Sequence, residues 1–353
     1  MPSPDPLNAA PETASAAAPP AAATTAFGEA KFTPQLKPAP TPTRAKTIFF
    51  SETPRFYRAR HVTGYDYGEE VSVSQHFTHL APRPHPRQKV RSYALTVLPT
   101  PAAHTNAVDY FGNPTSYIAI QEPHRTLVIS VDIEIQVAPP SPLTPSETPM
   151  WEVINRLARR DADGADNNGA GQYLFDSVLI QAAPCLSAYA APSFPTGRPV
   201  AEGGLDLMTR IFNDFTFDPT ATTVATPIAQ VMTNRRGVCQ DFAHVLIGCL
   251  RSLGLPARYV SGYLRTLPPP GKPRLIGADA SHAWASLWCG AETGWIDLCP
   301  TNNRIADQDF ITIAWGRDYD DVSPIRGVIM GGLQHGLWVQ VDVEEIPAPN
   351  SRP

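Results

Sequence analysis

Cys239 stands where a loop ends and an apolar helix begins, in "GVCQDFAHVLIGCLRSLGLPARYVSGYL" (237–264). Phe242, Val245, Leu246, Cys249, Leu250 and Leu253 recur at spacings of three and four, which predicts a helix from about 239 to 253. Gly254 ends it and Pro256 follows. Cys239 therefore falls in the first turn. There a thiol feels the positive end of the helix dipole and the unpaired backbone N–H groups. Both favour the thiolate, which is the nucleophile. The competing role is plain packing, because free cysteines are often simply buried.

A thiolate nucleophile needs an imidazole partner. Of nine histidines, His61, His76, His79, His85, His104 and His124 lie far back in the chain. His244 sits inside the helix, pointing away from its first turn, and His335 lies in a glycine-rich turn. His282 remains, at the start of the strand-like "HAWASLWC". An imidazole in turn needs a group to orient it. Asp297 lies mid-strand in "GWIDLCPTNN", where a carboxylate is costly unless paired. A hairpin across "GAETG" is expected to bring His282 and Asp297 opposite each other. The backbone N–H of Cys239 would be one oxyanion donor. Gln240, or a residue of "NDFTFDPTATTV" (213–224), is the candidate for a second. Trp284 shares parity with His282 and either walls the cleft or packs in the core, packing being the commoner fate. Asp241 is read as a helix cap. "RDYDD" (317–321) lacks the spacing of a calcium loop and is read as a turn. Cys185, Cys249, Cys289 and Cys299 are expected to be small core residues.

The elements that must hold these groups are legible along the chain. In "TLVISVDIEIQV", Leu127, Ile129, Val131, Ile133, Ile135 and Val137 alternate with mostly polar residues, which marks a strand with one buried face. With "VRSYALTVLP" and "DYFGNPTSYIAI" it predicts a small all-β sandwich domain over 48–138. A stretch with five prolines (137–150) predicts a linker over 139–149. Beyond it, "WEVINRLARR", "LDLMTRIFNDF" and "TPIAQVMTNRRG" are helical, and the strands "ARYVSGYL", "HAWASLWC", "GWIDLC", "RGVIMGG" and "GLWVQVDVEEI" follow. Helices followed by strands predict an α+β core with an antiparallel sheet over 150–346. Residues 1–46, dominated by Ala, Pro and Thr, are expected to form a disordered tail.

Composition narrows the function. Net charge is −5 over 353 residues, which gives no basic footprint for nucleic acid. Five widely spaced cysteines without a CxxC pair argue against a disulfide framework or structural zinc site. The cysteine usage fits a reducing compartment and a cytoplasmic location. No run of 18 apolar residues predicts a membrane span, and the N-terminus does not read as a secretory signal.

The blocks "GVCQDFAHVLIGCLRSLGLPARYVSGYL", "SHAWASLWCGAETGWIDLCPTNN" and "GRDYDDVSPIRGV" resemble the bacterial transglutaminase-like superfamily. The β region of 48–138 is similar to the N-terminal domain that accompanies such cores. The resemblance implies a papain-like Cys-His-Asp triad, with Cys239 as nucleophile, His282 as general base and acid, and Asp297 as orienter. It implies amide hydrolysis or acyl transfer through an acyl-enzyme, on a peptide or protein substrate and without a cofactor or metal. Hydrolysis is favoured here over transfer to an amine. A noncatalytic peptide-binding scaffold is the reading from another class. A metal site from Cys239, His244 and His282 is poor, since no pair has ligand spacing. Neither nucleic acid nor membrane is expected as a partner, and the oligomeric state is open.

Overall fold

The computed structural model describes residues 47–162, 169–266, 281–333 and 335–348. The N-terminal tail, part of the 161–171 loop and the segment just before Ser281 lie outside the described residues. Five strands come first: β1 (Arg55–Thr78), β2 (Gln88–Leu98), β3 (Ala103–Val108), β4 (Pro114–Ile120) and β5 (His124–Val137). Five helices follow: α1 (Trp151–Ala162), α2 (Pro184–Ala190), α3 (Val200–Asp214), α4 (Ile228–Asn234) and α5 (Cys239–Ser252). Short β6 (Thr216–Phe217) and β7 (Arg236–Gly237) bracket α4. The chain then runs through β8 (Ala257–Leu264), β9 (Ser281–Trp288), β10 (Trp295–Cys299), β11 (Arg304–Ile305), β12 (Phe310–Gly316), β13 (Ile325–Gly331) and β14 (His335–Ile346).

The expected alternation in β5 holds, with all six predicted inward residues buried. β1 is long enough to serve two sets of neighbours. Its first half pairs with β5 and β14, its second with β4 and β13, and the register shifts between Asp66 and Val71. The last two strands thus join the N-terminal sheet rather than the core that the sequence pattern assigned to 150–346. Nor is the proline-rich segment free-running. The backbones of Ile48 and Leu143 exchange hydrogen bonds of 2.7 and 3.0 Å, and Leu143 packs into the core.

The core is an α+β layer: helices packed on the antiparallel sheet β11-β10-β9-β8-β12. α5 buries Phe242, Val245, Leu246, Cys249 and Leu250 among Ala257, Tyr259, Ala283, Ala285 and Leu287, as its three-four stripe requires. Phe242 is nearly solvent-free, and truncating such a side chain costs about 3–5 kcal/mol. Tyr263, Ile311 and Ile313 of β8 and β12 pack with Tyr57, Ile133 and Val341 of the first sheet, so the two sheets share one apolar cluster.

Candidate active site

The first turn of α5 is fixed from three sides. Asp241 is buried, and its carboxylate accepts from the Val238 N–H at 2.8 Å and from the Thr222 hydroxyl at 2.7 Å. It is a cap, as expected. Burial holds its carboxyl above the ordinary value, against those two hydrogen bonds. A side chain at residue 237 would collide with this carboxylate, so Gly237 is what lets the cap close. At the far end, the buried Arg251 guanidinium donates to the Ala257 carbonyl at 2.8 and 3.0 Å and to the Arg317 carbonyl at 2.6 Å.

Cys239 and His282 line one cavity of about 410 Å³. The backbone N–H groups of Ala283, next to His282, and of Gln240 donate toward the Cys239 sulfur. Burial nevertheless pushes this thiol up to about 11. The two amides pull the other way, while Cys299 and Asp241 add to the rise. Burial thus works against the thiolate that a first-turn position favours. His282 is lowered to about 4, again by burial. Its ring lies over Trp284, with centroids 6.2 Å apart, and near Phe310 at 6.0 Å. Opposite it on β8 stands Gly262, where a Cβ would strike the Ile311 carbonyl and the Trp284 ring. The missing side chain is what lets Trp284 pack beneath His282.

The expected cross-strand pair of His282 with Asp297 is corrected by the register. Trp288 faces Trp295, so residues equidistant from the turn pair, and Asp297 faces Ser286. Ser286 is four residues along β9 from His282, which is roughly 13 Å at strand rise. Asp297 instead lies 3.6 Å from Arg87 and supplies the opposing charge to Arg258. The Arg258 guanidinium is stacked on Trp315 at 3.5 Å and Trp295 at 4.1 Å. What meets His282 is sulfur: its Nε2 lies 3.1 Å from Cys299 Sγ and 3.4 Å from the Asn302 amide nitrogen, which donates to Cys299 Sγ at 3.2 Å.

Among the secondary candidates, Gln240 lines the cavity and donates to the Val224 carbonyl at 3.4 Å. The 213–224 segment therefore reaches the site through Val224 and Thr222. Trp284 takes the packing role favoured above and not the cleft-wall alternative: it is fully buried with Val260, Cys299 and Phe310. Cys185 is exposed, against expectation, while Cys249, Cys289 and Cys299 are buried. His244 accepts from the Tyr319 N–H at 3.2 Å, deep in the core. Among the described residues, no three groups are placed to hold a metal, and no helix is long and apolar enough to cross a membrane.

Two contributors were missed by the sequence reading. β1 supplies His61, Thr63 and Tyr65 to the cavity, and β14 supplies Leu337, Val339 and Val341. His61 is buried, with Nδ1 3.1 Å from the Tyr263 hydroxyl and Nε2 2.8 Å from Thr63 Oγ1. Its inward parity in β1 was readable, but the folding of β1 over a cysteine some 180 residues later was not.

Comparison with known proteins agrees with this architecture. The family model for the bacterial transglutaminase-like N-terminal region matches residues 57–136, and that for the transglutaminase-like superfamily matches 190–300. Uncharacterized proteins of Mycobacterium bovis and Mycobacterium tuberculosis are each 42% identical over 297 residues, covering 82% of this chain and 92% of theirs. A protein-glutamine gamma-glutamyltransferase of Pseudomonas aeruginosa is 31% identical over 103 residues, 27% of this chain and 15% of that protein. The crystal structure of a candidate cysteine protease from Cytophaga hutchinsonii shares the fold, with a TM-score of 0.67 at 19% identity, over 86% of this chain and 95% of that one. The chain belongs to the bacterial transglutaminase-like superfamily, with its N-terminal region and its core both present.

Proposed function

We propose that the chain is a thiol-dependent amide hydrolase, with Cys239 as nucleophile and His282 as general base and acid, acting on peptide or protein substrates through an acyl-enzyme. The observation that carries this reading is the shared cavity, lined by both the helix-end thiol and the strand-end imidazole, with the Ala283 and Gln240 amides bonded to the thiol sulfur. Because burial leaves thiol and imidazole both neutral at rest, proton transfer accompanies attack. The Cys239 S–H passes its proton to His282 as sulfur adds to the amide carbonyl. His282 then returns that proton to the departing amine. Backbone N–H groups at the start of α5 serve the developing oxyanion, Cys239 itself being one donor. Water, activated by the same imidazole, releases the acid.

Hydrolysis is favoured over amine transfer because no Asp, Glu, Lys or Arg lines the cavity among the described residues. A cationic lysine acceptor would find no counter-charge there. The test is a peptide-amide library read by mass spectrometry, with and without added primary amine. Acid products that persist in amine support hydrolysis, and amine adducts in their place contradict it. A noncatalytic peptide-binding module draws on the neutral resting pair. Turnover by the wild type that is lost in Cys239→Ala would end that reading.

A further inference from the structure

We infer that Cys299 and Asn302 are the positioning residues of His282, an uncharged pair standing where the sequence called for a carboxylate. The inference rests on the reading of Cys239 and His282 as nucleophile and base. Three short separations carry it. His282 Nε2 lies 3.1 Å from Cys299 Sγ, the Asn302 amide nitrogen lies 3.2 Å from that sulfur, and the amide lies 3.4 Å from Nε2. The triangle is closed and sits at the end of β10 and in the turn after it, on the side of the imidazole that Nε2 occupies. Nδ1 is then the nitrogen left for Cys239.

For Nδ1 to act as a base it must be unprotonated, so the ring must carry its proton on Nε2. An Nε2–H aimed at Cys299 Sγ fixes that tautomer and holds the ring over Trp284. Asn302 donates to the same sulfur and keeps it in place. Among the described residues, Cys299 and Asn302 are the polar side chains at Nε2, and burial holds the Cys299 thiol above the ordinary value, against the Asn302 and Thr301 hydrogen bonds and the charge of Arg304.

Among the described residues, the cavity around this histidine is lined by Cys239 of α5, Tyr259 of β8, His61 and Tyr65 of β1, and Tyr319 of the turn before β13, with no carboxylate. The charged group acting on Cys299 is Arg304 of β11. The nearest strand carboxylate, Asp297, faces Ser286 and is taken up by Arg87 and Arg258. The pair therefore orients the imidazole without stabilising its cation. A residue that merely filled the core would do neither.

The test uses the full chain labelled with 15N-histidine, together with two variants, Cys299→Asp and Cys299→Ser. In the wild type the His282 ring nitrogens should report an Nε2–H tautomer, and the ring should stay neutral to below pH 6. Cys299→Asp places a carboxylate against Nε2. It should raise the His282 midpoint by at least one pH unit, move the acid limb of the pH profile upward, and speed Cys239 alkylation at pH 7 about tenfold. Cys299→Ser keeps an uncharged acceptor and should leave the tautomer and midpoint in place. A His282 signal unchanged in tautomer and midpoint by Cys299→Asp overturns the inference, as does an Nδ1–H tautomer in the wild type. These spectra need no turnover. A wild type without amidase activity would thus refute the proposed function and leave the positioning of His282 to be judged by the spectra.

Discussion

The two ends of the β9–β10 hairpin are built to opposite rules. One end carries His282 and Cys299 over the rings of Trp284 and Phe310, with no carboxylate among the described residues in the cavity lining. The other, a few residues along the same face, carries Asp297 between Arg87 and Arg258, with Trp295 and Trp315 stacked on the Arg258 guanidinium. A carboxylate inside an apolar strand does need a partner, and here it finds two arginines before it could find the histidine. The lesson is that the cost of burial predicts that a charge is paired, and strand register decides with what.

The largest expected effects test the catalytic end. Cys239→Ala should abolish turnover and covalent adduct formation. His282→Ala should cut turnover by roughly 10²–10⁴-fold through loss of acid-base transfer, read from steady-state peptide cleavage. The structural end should behave in the opposite way. Asp297→Ala removes the counter-charge of a buried guanidinium and should cost about 3–5 kcal/mol of stability by urea titration. The folded fraction should keep its turnover. A large loss of turnover at unchanged stability would return Asp297 to the active site.

Acid should strike the protein through both halves. His61, His76, His85, His244 and His282 are all held by burial at about 4, below the ordinary 6.5. Each stays neutral in the fold and takes up a proton on unfolding. This contribution to stability is complete above about pH 6.5 and is lost as pH falls from there toward 4. Urea midpoints measured between pH 7 and 4.5 should fall steadily, and a flat profile would show these rings to be solvated. A smaller effect is expected at Gly262, where Ala must displace the Ile311 carbonyl or the Trp284 ring. Overpacking of that kind costs about 1–3 kcal/mol and should tilt His282, seen as a shift of the His282 ring resonances.

Local pattern carried much of this to the reader of the sequence. The apolar parity of Leu127 to Val137 and the three-four stripe from Phe242 to Leu253 each require only neighbours in the chain, and both elements formed as expected. The helix-end position of Cys239 and the strand-end position of His282 were legible for the same reason. The return of β14 to β1 was not, because its alternation marks a strand without naming the partner. The burial of Cys239 was not legible either: a helix end can be counted from sequence, but the walls that β1 and β14 add to the cavity cannot.

The most direct test of a Cys239–His282 site is intact-mass and peptide mapping after exposure to a peptidyl chloromethyl ketone at pH 7, with iodoacetamide as the comparison reagent. Cys185 is exposed and should take iodoacetamide readily, whereas the chloromethyl ketone, which must occupy the cavity, should place a single adduct on Cys239. That adduct should vanish in Cys239→Ala, form far more slowly in His282→Ala, and persist in Asp297→Ala. Adducts that follow exposure, on Cys185 ahead of Cys239, or an adduct rate indifferent to His282, would contradict the account.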